Sequence, residues 1–459
     1  MSDQHAERPA TFREVFSSSE YRAVFPASAL SWVGDFLAKA AVTAMVYNQT
    51  RSVIASSATF AISFLPWVAG GPVLAAVAER YPQRTTMIIS DLCRMVLVAL
   101  VAVPWMPIPA MLALLFLTGL LNPPFEAARS ALLPRILTGD RYVVGLSLQN
   151  STNQAAQLVG YMVGSALAAG NPRLALLVDA GTFAFSAFMI WSGVRPHPAV
   201  YVPEARSHLL RETAEGFRIV FGTPTLRAIA ILVLAAHLFT TPPEGLAAAW
   251  ASSLESNPTR RGLAQGIIMI GNPLGFLIAG LLIGRLVPPA IRRRLIRPFC
   301  VLAPLTLVPS LLRPNAIEVA VMAGLCGVCL AGMVPAANGL FVQVLPNNYR
   351  ARAFGIMQSG LQVFQGAGVV FTGLLASRFS LSAVVGGWSV FGVVLLLSLS
   401  TLWPSHTEFT NAITRTRAGN AESEAAIAAA AGQSPPLVGQ RPPGGEAHPS
   451  TLPRPAESM

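Results

Sequence analysis

The chain has 459 residues, 53% hydrophobic and only 12% charged, with a mean hydropathy of +0.55. Ordinary soluble domains carry about 25% charged residues, so half that share leaves too little polar surface to keep this length of chain in water; lipid lifts the requirement. The net charge of +11 does not mark a nucleic-acid binder, because the 32 basic residues, all arginine except Lys39, scatter through short loops and form no stripe.

The first 20 residues are polar, and the apolar run behind them is too long for the core of a cleavable leader. A spanning helix needs about 20 predominantly apolar residues. Such runs lie near 23–48, 53–78, 86–104, 110–133, 143–169 and 174–194. A polar segment follows, and its stretch RSHLLRETAEGFRIVF reads as an amphipathic helix on the membrane surface. Six more runs lie near 226–250, 262–284, 296–312, 317–340, 353–377 and 381–403. Pro242–Pro243 interrupts the seventh, and Pro304 and Pro309 the ninth. The chain beyond is rich in Pro, Gly, Ala and Ser and is expected to be disordered. The expected architecture is an all-α membrane protein with twelve transmembrane helices. It divides into a cytoplasmic N-terminal segment (1–21), a six-helix bundle (22–194), a cytoplasmic linker (195–225), a second bundle (226–403) and a tail (404–459).

With the N-terminus inside, nineteen arginines fall in inner segments and six in outer loops. That bias orients the protein with both termini in the cytoplasm. The halves also echo each other. Ala75-x-x-x-Glu79-Arg80 after the second span is matched by Gly280-x-x-x-Gly284-Arg285 after the eighth, and Leu133-Pro134 after the fourth by Leu345-Pro346 after the tenth. Gln149 and Gly164 in the fifth span have the same spacing as Gln358 and Gly373 in the eleventh. A near-constant offset argues for two parallel six-helix repeats, the plan of transporters that hold a central site between halves. Gly160-x-x-x-Gly164 and Gly271-x-x-x-Gly275 are spacings that let helices pack closely. Cys326-x-x-Cys329 lies inside an apolar run without partner ligands and reads as packing, not metal or redox chemistry.

The loop Ala75-x-x-x-Glu79-Arg80-Tyr81-Pro82-Gln83-Arg84 resembles the loop between spans two and three of the major facilitator superfamily, with Glu79 and Pro82 where that family has Asp and Gly. YRAVFPASALSWVGD with Asp35, SDLCR, FEAARSALLPRIL and LPNNYRARAFGIMQ are similar to the branch of bacterial macrolide-efflux and enterobactin-export proteins, over about residues 12–403. The resemblance implies a proton-coupled exporter of a drug, secondary metabolite or siderophore in the bacterial cytoplasmic membrane. Its implied partners are a small-molecule substrate, protons and lipid. The chain is expected to act as a monomer, with no cofactor and no nucleic acid.

Charges at membrane depth cost about 2.5–3.5 kcal/mol each on insertion scales, so each needs a reason. Glu79, Arg80, Arg84, Asp91, Arg94, Glu126 and Arg129 are expected near the inner ends of the N-terminal helices, either as ion pairs pinning helices or as a cytoplasmic gate. In the family the loop acid faces the start of the eleventh span, here near Arg352, where the helix dipole favours negative charge. Asn150, Gln154 and Gln157 in the fifth span, with Asn153 beside them, and Gln358, Gln362 and Gln365 in the eleventh form two polar stripes. Amides cannot face lipid unsatisfied, so the stripes either bond between helices or line a substrate cavity. Asp35 falls near the middle of the first span and is the first choice for proton coupling, a position where the family keeps an acid. Lys39, one turn on, either belongs to that machinery or closes a plain ion pair with it. His237 and Glu244 share a face of the broken seventh span and are the next coupling candidates, unless Glu244 merely meets water at the outer surface. Asp179 is expected at the outer interface.

An intramembrane enzyme is disfavoured, since the chain has no H-E-x-x-H, no G-x-S-x-G and one histidine within a span. It also has no G-x-x-x-x-G-K-[ST] loop for an ATP-driven motor. Uptake by the same fold, or a receptor built on it, are the alternatives to export.

Overall fold

The computed structural model describes residues 10–70, 74, 81–197 and 209–430. Among them every regular element is helical. In chain order these are α1 (Phe12–Val15), α2 (Ser19–Thr50), α3 (Val53–Ala61), α4 (Leu65–Ala69), α5 (Gln83–Val101), α6 (Ile108–Leu120), α7 (Asn122–Ile136), α8 (Asp140–Gly170) and α9 (Pro172–Gly193). After the linker come α10 (Leu209–Gly222), α11 (Pro224–Thr240), α12 (Pro242–Gly245), α13 (Ala247–Leu254), α14 (Pro258–Leu286), α15 (Pro289–Leu305), α16 (Ala316–Val344), α17 (Arg350–Ala376), α18 (Leu381–Thr401) and α19 (His406–Ala430).

Short polar residues set the helix starts. Ser18, Ser52 and Ser380 accept bonds from the backbone N–H groups of Tyr21, Ala55 and Ala383. Asn171 and Asn257 do the same just ahead of Pro172 and Pro258. Asn315 forms a capping box with Glu318. Each cap satisfies orphan donors of a first turn, and proline is at home at the first helical position.

Nine helical segments of the described chain are long and apolar enough to cross a bilayer. Three further crossings complete twelve, and each falls short of the plain pattern for a physical reason. The second is broken by a turn at 62–64, and residues 71–73 and 75–80 lie outside the described chain. Helix α5 carries Asp91 and Arg94, which are fully buried and paired with each other. Helix α8 carries the first amide stripe, which faces a cavity. The protein is therefore an all-α membrane protein of twelve transmembrane helices in two pseudo-symmetric six-helix bundles.

Within each bundle the glycine pairs give close packing, as their spacing leads one to expect. Gly160 and Gly164 of α8 lie on the backbone of α2 at Val33 and Leu37, and Gly271 and Gly275 of α14 lie on α16 at Ala320 and Gly324. A side chain at any of the four would collide with main chain, so the helices approach at a distance only glycine permits.

The bundles meet toward the face opposite the termini. Gln265 of α14 donates to the Ala40 carbonyl at 2.9 Å, and Arg261 donates to Asn48 at 3.2 Å. Gly262 abuts Ser165, and Gly373 abuts Ser57. Leu37, Ala41, Ala44 and Ala168 form one apolar cluster with Ala248 of α13.

The tail departs from expectation. Residues 406–430 form α19, where disorder was expected from 404. Glu408 accepts from the backbone N–H of Ser405, which starts the helix, and the alanine-rich sequence sustains it. Asn420 and Asn347 exchange two hydrogen bonds, at 3.1 and 3.2 Å, and Thr416 donates to the Val344 carbonyl. The tail thus docks on the loop between α16 and α17.

Candidate functional site: a charged central cavity

A cavity of about 1000 Å³ lies between the bundles. Its walls carry Asp35 and Lys39 from α2, Arg94 from α5, Glu126 and Arg129 from α7, Asn150, Asn153, Gln154, Gln157 and Tyr161 from α8, and Asp179 from α9. The second bundle contributes His237, Glu244, Asn272, Asn338, Gln358, Gln362 and Gln365. Both amide stripes therefore face this space. The contacts above close it toward the face opposite the termini.

The charges fall into three groups. In the first, Arg94 is sandwiched between the rings of Phe125 and Phe183, each 4.7 Å from the guanidinium carbon. It donates to Asp91 at 2.9 Å and to Asn122 at 2.6 Å, and its Nη1 stands 3.7 Å from Asp35 Oδ2. Ser186 donates to the other oxygen of Asp91 at 2.6 Å. Asp91 is thus doubly bonded, whereas Asp35 has one long ion pair and stays partly open to the cavity. Asp179 is buried on the far side of Asp35, bonded by Thr182.

In the second group, Arg129 pairs with Glu126, donates to Gln149 at 2.8 Å, and stacks over Trp32. The indole N–H of Trp32 completes the circuit at Glu126, 3.4 Å away.

The third group crosses the bundles. Tyr161 of α8 donates to Glu244 of α12 at 3.2 Å, and Gln157 donates to Tyr161 at 3.4 Å. Lys39 lies over the rings of Phe60 and Phe64, 4.0 and 4.2 Å from their centroids. His237 bonds through Nδ1 to the Val233 carbonyl at 2.8 Å, so that nitrogen carries the proton and Nε2 is left for other partners.

Several expectations need correction. Asp91, Arg94, Glu126 and Arg129 were expected near the inner helix ends with the gate. Asp91 lies eight residues into α5, about 12 Å along it, and Arg94, Glu126 and Arg129 line the cavity. Asp179 was expected at the outer interface, yet it is 1% exposed and reaches the cavity wall. Lys39 does not form an ion pair with Asp35; it rests on two phenylalanines, and Asp35 turns to Arg94. Glu244 is buried at the cavity, not at the outer surface.

Of the remaining gate candidates, Glu79 and Arg80 lie outside the described residues. Arg84 donates to the Trp191 carbonyl at 2.6 Å, tying α5 to the end of α9. Arg352 pairs with Glu215 of the linker helix α10 at 2.8 Å. Sequence reading missed Tyr161 as a cavity residue, although its position four after Gln157 continues the amide stripe by one turn. It also missed that Lys39 and Glu244 are repeat mates: they are 205 positions apart, as are Ser19 and Pro224, the first residues of α2 and α11, and Val53 and Pro258, the first residues of α3 and α14.

Two helical bundles with ionisable side chains on both walls of one shared cavity define a membrane transporter, not an enzyme. The family model of the Major Facilitator Superfamily matches residues 24–255, and the chain belongs to that superfamily. Among curated relatives, the multidrug efflux pump Tap of Mycolicibacterium fortuitum is 25% identical over 74% of this chain and 85% of its own length. An MFS-type transporter of Mycobacterium bovis is 26% identical over 51% of this chain and 58% of its own. Among solved structures, a D323A mutant of the nucleoside transporter NupG superposes with a TM-score of 0.68 at 13% identity, covering 84% of this chain and all of that one. The D-xylose-proton symporter gives 0.65 at 12% identity, covering 85% of this chain and 98% of its own. These likenesses show the fold.

Proposed function

We propose that the protein exports small amphipathic solutes from the bacterial cytoplasm in exchange for protons, as a monomer in the cytoplasmic membrane with both termini inside. One observation carries this reading: a cavity closed at one end has the carboxyls of Asp35 and Glu244 on opposite walls. Each acid has a weak competitor already in place, Arg94 at 3.7 Å for Asp35 and Tyr161 at 3.2 Å for Glu244. A carboxyl held this loosely can exchange its partner for a proton at small cost. The likeness to Tap supports the outward direction, and the positive-inside bias supports the orientation.

In the cycle, the contacts at Gln265, Gly262 and Gly373 open to the outside while the inner ends close. Glu79, Arg80 and Arg84 form the cytoplasmic gate against the start of α17 near Arg352. Asp35 takes up a proton while the cavity faces outward and loses it when the cavity faces inward again. The amides of α8 and α17 contact the substrate.

Purified protein in liposomes, with a pH gradient imposed, tests the reading. Solute movement opposite to proton flow is expected. Movement with the protons would make the protein an uptake symporter, and movement indifferent to the gradient would remove proton coupling.

A further inference from the structure

Resting on the transport reading above, we infer that the preferred substrate is an amphipathic organic anion, a carboxylate, sulfonate or phosphate on an apolar body, and that Lys39 holds its charged group. Among the described residues, three lysine or arginine side chains, Lys39, Arg94 and Arg129, line the cavity, and the two arginines are committed. Arg94 is engaged by Asp91, Asn122 and Asp35, and Arg129 by Glu126 and Gln149. Lys39 is different. Among the described residues, no carboxylate lies within 4.0 Å of its ammonium, which donates no hydrogen bond to them and lies over the faces of Phe60 and Phe64.

Aromatic faces hold a cation in place but satisfy none of its three N–H donors. Those donors remain available on the cavity wall. The anions nearby are poor rivals for a ligand: Asp35 is oriented to Arg94, Asp179 is bonded by Thr182 and Glu244 accepts from Tyr161. Phe36, Phe64, Trp67 and Phe276 line the same space and give an apolar body a surface to stack on.

The residue type supports the assignment. Lys39 is the single lysine of a chain whose other 31 basic residues are arginine. An arginine fork is suited to fixed bidentate pairing, of the kind Arg94 and Arg129 make. A lysine on a flexible stem presents a compact charge that can follow a ligand as the cavity changes shape.

The test uses one scaffold in three charge states: 2-naphthoate, 2-naphthamide and 2-naphthylmethylammonium. Each is titrated calorimetrically into the full-length protein in nanodiscs, without a pH gradient. Naphthoate should bind tightest. Lys39→Met should weaken it about tenfold or more, the scale of a hydrogen bond to a charged group, while Lys39→Arg keeps most of the affinity and naphthamide is indifferent to either change. Tightest binding of the ammonium compound, naphthoate binding unmoved by Lys39→Met, or no binding of any of the three overturns the assignment. If Lys39→Met does not fold, ¹³C reductive methylation of the single lysine gives a second readout. Its dimethylammonium resonance should move with naphthoate and not with naphthamide, and equal responses overturn the assignment. Because binding is read at equilibrium, failure here leaves proton-driven export standing, and failure of gradient-driven transport leaves the ranking of ligands standing.

Discussion

The two walls of the cavity share a backbone plan and differ in charge. The N-terminal wall carries Asp35, Lys39, Arg94, Glu126, Arg129 and Asp179; the C-terminal wall carries His237 and Glu244, and is otherwise amides, the hydroxyls of Thr240 and Thr241, and apolar side chains. At the offset of 205 that relates the starts of α2 and α11, Lys39 meets Glu244, so the repeat exchanges a cation for an acid, and Asp35 meets the uncharged Thr240. Repetition therefore fixed where helices run, and the electrostatic work was concentrated on one side. A wall crowded with mutually paired charges is held by those pairs. A wall of amides can slide and re-form its bonds at low cost, since interhelical side-chain bonds average about 0.6 kcal/mol.

The largest break in that contrast should come from Arg94→Met. It leaves Asp91 buried with only Ser186, and removing one partner of a buried pair costs about 3–5 kcal/mol. A steep fall in thermal stability in detergent is expected, and an unchanged melting temperature would show that the N-terminal wall does not depend on its charge network. Gln365→Met, the control on the other wall, should leave the melting temperature close to wild type.

Next come the two cavity acids. Asp35→Asn should abolish proton-driven export while leaving the protein in the membrane, whereas Glu244→Gln should slow export but keep its dependence on the gradient. Rates and gradient dependence in liposomes decide the matter; wild-type coupling in Asp35→Asn would transfer the coupling role to the C-terminal wall.

Smaller effects are expected at the moving parts. Glu79→Gln should slow turnover with little change in substrate affinity, and identical kinetics would leave that loop a structural role. Tyr161→Phe removes the cross-bundle bond to Glu244, and a cysteine placed at Asn48 should then become more reactive from outside. Equal reactivity would mean that the apolar contacts around Ala248 hold the closed end alone. The smallest change should follow Gln362→Ala, about threefold in substrate affinity for one amide bond, and a loss of tenfold or more would give the C-terminal stripe a directing role in recognition.

The residues themselves show why some features were legible. Span positions follow from runs of apolar residues, and the starts of α9, α14 and α16 from Asn171, Asn257 and Asn315, all local properties of the chain. The amide stripes were legible because i, i+4 and i+7 repeat on one helix face whatever the neighbours are. The start of the tail was misread because Pro and Gly further along obscured a helix-forming stretch at 406–430.

By itself the sequence determined a membrane protein of twelve helices, two related halves, and a set of polar residues that had to avoid lipid. Tertiary structure alone decided which of those residues meet. Each residue along a helix turns the side chain by about 100°, so depth and partner depend on how neighbouring helices are rotated and tilted. Asp35 could face Lys39 one turn away or Arg94 on another helix, and the packing of α2 against α8 through Gly160 and Gly164 chose Arg94. The same packing set Lys39 over Phe60 and Phe64 and brought Tyr161 to Glu244 across 83 positions of chain. Distances of that kind come from shape complementarity between helices, which no local pattern encodes.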